Sequence, residues 1–346
     1  MAHPRVEDKP QVPLVTVAVV AYRSGATLRR CLEGLAAQSY RQFELVLVDN
    51  ASPDREAQAV ADVVPGTRLI ENADNLGFAA ACNQAAAAGC GRWLVLLNPD
   101  AYPQADWLEQ LMAAAERHPG VRSFTSRQVM DDDPAVLDGL GDVMSLPCIP
   151  YRGGYLQPDP GDTPEGLVFS PCGAAMLIDR ALFLELGGFD ESFFCYCEDV
   201  DLGYRLQLAG EPTIVVPAAV VRHVGSASSG GAKSEFALFH GYRNRFWVLV
   251  KDTPGLLLPL VLPTHLLAAA YVALRKPNRP YIGVTLRAYR AALAGLGPVL
   301  KRRRAVQKGR RRSAVDIARA MTWDPRDLTG RRAVIRPLPP TRSAGA

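Results

Sequence analysis

The 346-residue sequence has no glycine-rich phosphate loop. A dinucleotide-binding enzyme needs G-x-G-x-x-G after its first strand, so that pyrophosphate can lie against backbone at a helix N-terminus. Here that position reads "AYRSGATL", with one glycine. G-x-x-x-x-G-K-[ST] is missing too, as is the G-x-S-x-G elbow of a serine hydrolase. Cysteine is sparse: seven residues, an odd count at irregular spacing, which argues for reduced thiols in a cytosolic compartment. Cys195 and Cys197 are two apart, a spacing that no common zinc or redox motif uses, and read as small core residues. No secretory leader is evident. "MAHPRVEDKPQVP" is polar, and the apolar run after it, "LVTVAVVAY", is too short to span a bilayer, so the expected location is the cytoplasmic side.

Acid is missing from one long stretch. Between Asp252 and Asp316 there is no carboxylate, and residues 301–346 hold 14 Lys and Arg against three acids. The net charge of +4 therefore hides a mildly acidic body joined to a basic, partly very apolar tail. With 48% hydrophobic and 21% charged residues, the body has an ordinary globular balance.

Four short apolar runs open the chain: "LVTVAVVAY" (14–22), "FELVLVDN" (43–50), "TRLIEN" (67–72) and "WLVLLNPD" (93–100). Their Val, Ile and Leu content without strict alternation suits strands buried on both faces. Helical segments separate them, including "ATLRRCLEGLAAQ", with Leu28, Cys31, Leu32 and Leu35 on one face, and the alanine-rich "GFAAACNQAAAAG". Alternation of this kind predicts an α/β fold with a mostly parallel sheet flanked by helices. Ligands bind beyond the carboxyl ends of such strands, where this chain places Tyr22, Asp49-Asn50, Asn72 to Gly77 and Asn98-Pro99-Asp100. Asp49 and Asp100 read as ligand-binding carboxylates, or as residues that cap helices and turn the chain.

Five segments carry a resemblance: "VTVAVVAYRSGATLRRCLEGLAAQSYRQFELVLVDNASPD", "NADNLGFAAACNQAA", "WLVLLNPDA", "GAAMLIDRALFLELGGFDESFF" and "YCEDVDLGYRL". In this order, over roughly residues 14–250, they resemble family 2 glycosyltransferases of the GT-A fold, in the rhamnosyltransferase-like branch that builds cell-surface polysaccharides. The resemblance implies inverting transfer of a sugar from a nucleoside-diphosphate donor to an acceptor hydroxyl. It implies donor binding by Ala21 and Tyr22 at the end of strand one, by Asp49 and Asn50, by Asn75 and Gly77 along the ribose, and by Asn98 and Asp100 at the diphosphate. The last pair stands where the commoner motif is Asp-x-Asp, which leaves Asp100 as the carboxylate ligand of Mg2+ or Mn2+. Magnesium commonly takes only one or two protein carboxylates. His223 matches a position that reaches the metal or the diphosphate in some relatives, and otherwise reads as a structural histidine at a strand end.

"FFCYCEDVDLGYRL" (193–206) puts Glu198, Asp199 and Asp201 within four positions. A helix from Glu198 to Ala209, stopped by Gly210, would carry Leu202, Leu206 and Ala209 on one stripe and Glu198, Asp201 and Arg205 on another. Asp201 and Arg205 form an i,i+4 ion pair. Asp199 is rotated off that stripe without an evident partner, at a helix end that favours the ionised form. It is the expected general base, the role the family gives to this Glu-Asp pair, with Glu198 orienting it or touching the acceptor. Gly173 and Ala174, in "PCGAAMLI", would let an acceptor sugar approach backbone, or serve close packing. The Gly/Ser-rich "VGSASSGG" has the composition of a lid.

"GLLLPLVLPTHLLAAAYVAL" (255–274) has no charge, and Lys251, Arg275, Lys276 and Arg279 flank it. This composition binds anionic cytoplasmic leaflets. The alternatives are packing on the catalytic domain or on a second subunit, making a homo-oligomer. No aromatic interleaving or recognition fold points to nucleic acid. The expected organisation is a flexible 1–12 and a catalytic domain over 13–250, with a nucleotide-sugar half (13–105) and an acceptor half (106–250). Membrane-associated helices follow over 251–312, then a poorly ordered basic tail over 313–346. The expected partners are a nucleoside-diphosphate sugar, a lipid-linked or polysaccharide acceptor, and an anionic membrane. The competing functions are a non-catalytic sugar-nucleotide-binding or scaffold protein of the same fold, and a nucleotidyl transferase.

Overall fold

The computed structural model describes residues 14–225 and 234–339. The four apolar runs form β1 (Val15–Ala21), β2 (Phe43–Asp49), β3 (Arg68–Glu71) and β4 (Trp93–Leu97). Eight further strands follow: β5 (Ala101–Pro103), β6 (Ser123–Met130), β7 (Leu137–Gly139), β8 (Asp142–Met144), β9 (Pro150–Arg152), β10 (Gly166–Val168), β11 (Ala175–Asp179) and β12 (Thr213–His223). The main sheet runs β10-β12-β6-β11-β4-β1-β2-β3, with β5 on β12 and β7 on β6, while β8 and β9 form a separate hairpin. Strands β3, β2, β1 and β4 are parallel, as the alternation predicts. The second half departs from the expected parallel arrangement. Strand β11 is antiparallel to both β4 and β6, and β10 and β5 are antiparallel to β12. Strand β12 itself is parallel to β6, so the second half is mixed.

The helices before the acidic cluster are α1 (Ala26–Ala36), α2 (Glu56–Val60), α3 (Phe78–Ala88), α4 (Trp107–Arg117) and α5 (Arg180–Glu185). Successive strand residues point to opposite faces, and here each face has its own core. Val15, Val17, Val19, Leu45 and Leu47 pack with α1 and α4 through Leu28, Leu32, Trp107 and Leu111. Ala18, Val20, Val46 and Val48 pack with α3 and α5 through Ala79, Ala85, Leu182 and Phe183.

Helix α6 (Glu198–Ala209) ends at Gly210, whose φ of 83° is the left-handed stop the sequence predicts. Leu202 and Leu206 join the core under the sheet. The opposite face, Val200, Tyr204 and Leu208, packs on a third cluster, formed largely by helices after the sheet. These are α7 (Glu235–Asp252), α8 (Leu258–Leu274), α9 (Ile282–Ala294), α10 (Leu296–Lys308), α11 (Ala314–Ala320) and α12 (Pro325–Gly330). Trp247 of α7 donates from Nε1 to Ala292 O (2.9 Å). Gly295 makes that approach possible, since a Cβ there would lie 2.5 Å from the Trp247 ring.

Helix α8 is the exception. Gly255–Leu274, of mean hydropathy 1.9, is long and apolar enough to cross a membrane, yet only 17% of it is covered by the protein. It is held chiefly on one side, where His265 donates from Nδ1 to Pro147 O (2.8 Å) while its Nε2 lies 3.0 Å from the Tyr289 hydroxyl. The segment expected to be a loose tail is also built differently. Ser313 and Asp316 form a capping box on α11, Ile317 is fully buried, and Leu167 and Arg336 exchange backbone bonds. The expected flexible 1–12 and most of the expected lid (226–233) lie outside the described residues.

Candidate active site

A cleft of about 940 Å³ opens beyond the carboxyl ends of β1, β2 and β4. Tyr22, Asn50, Asn75, Gly77, Asn98 and Asp100 line it, as do Gly173, Ala174, Glu198, Asp199 and His223. Two predicted donor residues stand behind the wall. Ala21 is 1% exposed and packs into the core. Asp49 takes the chain-turning alternative: its carboxylate accepts from Ser52 N (2.8 Å) and Gln58 Nε2 (2.7 Å). Beside it, Asn50 ties in a second loop. Its amide donates to Asn75 Oδ1 (2.8 Å) and Gly77 O (3.2 Å) and accepts from Leu76 N (3.1 Å), fixing the 75–77 loop.

Register brings Asp100 and His223 together. Strand β12 pairs with β5 so that His223 faces Ala101, one residue beyond Asp100. His223 Nε2 lies 3.3 Å from Asp100 Oδ1, while Nδ1 is 2.8 Å from Asp138 Oδ2. Arg152 pairs with the same Asp138 oxygen. Burial disfavours the charged imidazole, but hydrogen bonds and charge from Asp100 and Asp138 outweigh it and raise the His223 pKa to about 9. Nε2 has no well-aligned hydrogen bond. Nε2 is aimed at Asp100, and in the neutral ring, whose Nδ1 donates to Asp138, Nε2 carries the lone pair that a cation would take.

The acidic cluster divides its labour. Asp201 is fully buried and pairs with Arg205 (2.9 Å) and Lys251, and Lys251 also reaches Asp190 (2.7 Å). Asp199 does have partners, which sequence spacing does not reveal: Oδ2 accepts from Gly173 N and Oδ1 from Val200 N, both at 2.8 Å. Gly173 packs closely on Asp199: a Cβ there would lie 3.0 Å from the Asp199 Cβ. Burial raises the Asp199 pKa against these donors, so the helix end alone does not keep it at its ordinary value. Its side chain stays partly open to the cleft. Glu198 is 6% exposed, and burial with the Asp199 charge pushes its pKa well up.

The chain enters α6 through strained backbone. Phe194, Tyr196 and Cys197 have φ of 65°, 70° and 66°, a region that non-glycine residues rarely adopt. Asn244 of α7, fully buried, holds this segment by donating from Nδ2 to Phe193 O (3.0 Å), Cys195 O (2.8 Å) and Tyr196 O (2.7 Å). Gly77 packs beneath it, since a Cβ there would lie 2.6 Å from Phe194. Sequence reasoning missed Arg23, Asp142, Arg152 and Asn244. Arg23, next to Tyr22 at a strand end, was within reach of the strand-end argument, but the others depend on pairings between distant segments.

A mixed sheet between helical layers, with an acid, an imidazole and a helix-borne carboxylate lining one cleft, is a GT-A glycosyltransferase architecture. The fold is similar to that of GalNAc-T7 with UDP, GalNAc and Mn2+ (TM-score 0.56, 16% identity, 70% of this chain and 48% of that one). It is also similar to that of S. aureus TarS 1–349 in complex with UDP-GlcNAc (TM-score 0.54, 16% identity, 90% and 93%). The chain thus spans about half of the first of these and nearly all of the second.

The sequence profile of Glycosyl transferase family 2 matches residues 16–183. Over 243 residues the chain is 31% identical to the N-acetylglucosaminyl-diphospho-decaprenol L-rhamnosyltransferase of Mycobacterium tuberculosis, covering 63% of this chain and 78% of that protein. It is 27% identical to the pre-mycofactocin glycosyltransferase of the same organism, over 64% of this chain and 45% of that one. The chain belongs to glycosyl transferase family 2 and is rhamnosyltransferase-like.

Proposed function

We propose that the protein moves a sugar, rhamnose by its likeness to the mycobacterial enzyme, from a nucleoside-diphosphate donor to a hydroxyl of a lipid-linked glycan, with inversion. The observation that carries this reading is the cleft itself, which gathers the Asp100–His223 pair and the helix-borne Asp199 around one space. In-line displacement needs the donor's diphosphate and the base to share such a space.

The residues present fit a divalent metal, Mg2+ or Mn2+. His223 Nε2 is buried, lacks a well-aligned hydrogen bond and faces a carboxylate at 3.3 Å. Asp100, His223 and the amide oxygen of Asn98 would hold the ion. Bound there, it supplies positive charge against the diphosphate as that group leaves. Asn75 and Gly77 border the ribose on a loop that Asn50 keeps rigid. Asp199 takes the proton of the attacking hydroxyl, with Gly173 N–H and Val200 N–H fixing its carboxylate plane. Glu198 faces the acceptor.

The uncovered side of α8 supports docking on the cytoplasmic leaflet. Leu256, Leu267, Tyr271 and Leu274 are 85%, 71%, 64% and 66% exposed. Arg275 and Arg279, also exposed, suit anionic headgroups beside them.

The test is nucleoside diphosphate release across a panel of sugar nucleotides with magnesium, manganese or chelator, with and without lipid extract. Asp199→Asn is expected to lower turnover by about 10²–10⁴-fold, the usual worth of a general base, with donor affinity nearly intact. Transfer that survives the substitution rules out Asp199 as the base.

A further inference from the structure

The floor of the cleft holds a carboxyl that the mechanism above does not use. Asp142 opens β8, and its backbone is locked on both sides: Asp142 N donates to Ser170 O (2.9 Å) and Ser170 N to Asp142 O (3.2 Å). Its side chain lines the cleft and is 5% exposed, yet among the described residues nothing hydrogen-bonds its carboxyl. Arg152, across the β8–β9 hairpin, does not satisfy it. That guanidinium pairs with Asp138 and rests over the Tyr155 ring at 4.6 Å. A buried polar group left unpaired costs free energy unless something that binds there supplies the missing bonds.

Oxygen atoms of Asp142 and Asp199 and the Cys172 sulfur lie within 4.8 Å of one another. Three such groups suggest a cation, but the chemistry is against it. A thiol binds metal as thiolate, and Cys172 is a buried thiol that donates to Gln128 Oε1 (3.6 Å), with burial and both neighbouring acids pushing its pKa well up. Each Asp199 oxygen already accepts a backbone N–H. What remains is a surface of acceptor lone pairs facing the space where the attacking hydroxyl must sit. Two O–H···O bonds of about 2.7 Å each span such a gap to neighbouring hydroxyls on one sugar ring.

We propose that Asp142 binds the acceptor sugar through a second hydroxyl, adjacent to the one that attacks, so that Asp142 and Asp199 together grip a hydroxyl pair. The inference rests on the glycosyl-transfer reading and deepens it by naming the acceptor feature that is read. The environments support separate roles. Asp199 has two backbone donors that favour its anion. Asp142 has none, and burial beside the Asp199 charge pushes its pKa well above the usual carboxylate range, so it can donate as well as accept.

The probe is N-acetylglucosaminyl-diphospho-decaprenol, the acceptor class in the relative's name, with analogues each lacking one ring hydroxyl. Wild-type protein should discriminate against one analogue beyond the one lacking the attacking hydroxyl, by about tenfold or more in kcat/KM, as a polar site deprived of its hydroxyl does. Asp142→Asn should lose at least tenfold in kcat/KM for the full acceptor and level that discrimination, while the donor KM shifts less than twofold. A merely structural residue would not erase a preference tied to one hydroxyl. The melting temperature of the free protein should hold, because the amide fills the same space and no hydrogen bond to the carboxyl is lost; a fall points to structure instead. Wild-type transfer with undiminished discrimination in Asp142→Asn overturns the inference and leaves the function standing. If the wild type ignores lipid-linked probes, the lipid reading fails, and the same comparison is made with alkyl glycosides carrying the same hydroxyls. Silence on every probe overturns both.

Discussion

Replacing Asn244 tests how the acid pair is held in place. Its Nδ2 has two hydrogens for three carbonyls, those of Phe193, Cys195 and Tyr196, so the clamp amounts to about two full bonds. A buried acceptor left unsatisfied costs about 1–3 kcal/mol. Cleft water can reach part of this segment, which favours the low end, and Asn244→Ala should therefore cost about 2–3 kcal/mol. For a chain of this length about 2 °C of melting temperature goes with each kcal/mol, so a drop of about 4–6 °C is expected by thermal denaturation. The functional effect should exceed that. Phe194, Tyr196 and Cys197 sit at positive φ, a strain of roughly 1–3 kcal/mol each that persists only while neighbours impose it. Once released, the segment relaxes and turns Glu198 and Asp199 off their line, and an error of about 1 Å can cost 10²-fold in rate. Nucleoside diphosphate release at saturating donor and acceptor should fall at least tenfold. Asn244→Asp keeps the shape, removes the donors and adds a charge, so it should do no better than alanine. Wild-type melting temperature and turnover in the Asn244→Asp protein would refute the reasoning.

Gly77→Ala places a Cβ 2.6 Å from Phe194 at a φ of 85°, and should raise the donor KM and lower stability by more than about 1 kcal/mol. Lys251→Met strips a cation from the half-buried Asp190 and from Asp201 and Asp252, both fully buried, and should cost roughly 3–5 kcal/mol, read as a lower melting temperature. Burial raises the Asp199 pKa against its two backbone donors. The base works ionised, so turnover should fall as pH drops through a midpoint above the usual carboxylate range. A profile flat down to about pH 4, the ordinary carboxylate range, would contradict that.

Strands β1 to β4 were legible because both alternating sets of residues in them are apolar, and each set found its own core. Helix α6 was legible to the residue, since Gly210 is a local signal. Pairings made at long range were not. Asp142 reaches the cleft because β8 pairs with β9 and bridges Ser170, and Asn244 meets residues about 50 positions earlier. Asp49 shows a part the sequence did not reveal: this strand-end carboxylate also holds the 50–52 loop by accepting from Ser52 N. The antiparallel β11 and the folded 313–339 were hidden for a similar reason, since the strand run of β11 carries no mark of direction, and arginine-rich composition conceals an apolar side chain such as Ile317.

Helix α8 is fastened at His265 to Pro147 O, three residues beyond the end of β8, the strand whose first residue is Asp142. If its uncovered side rests on lipid, the grip on the acceptor and the plane of the bilayer belong to one rigid piece. The enzyme then works as a height gauge: a lipid-linked sugar reaches Asp199 only when the spacer between its lipid and the reacting ring matches that fixed stand-off. Chain length of the glycan would be selected by geometry before any hydroxyl is read.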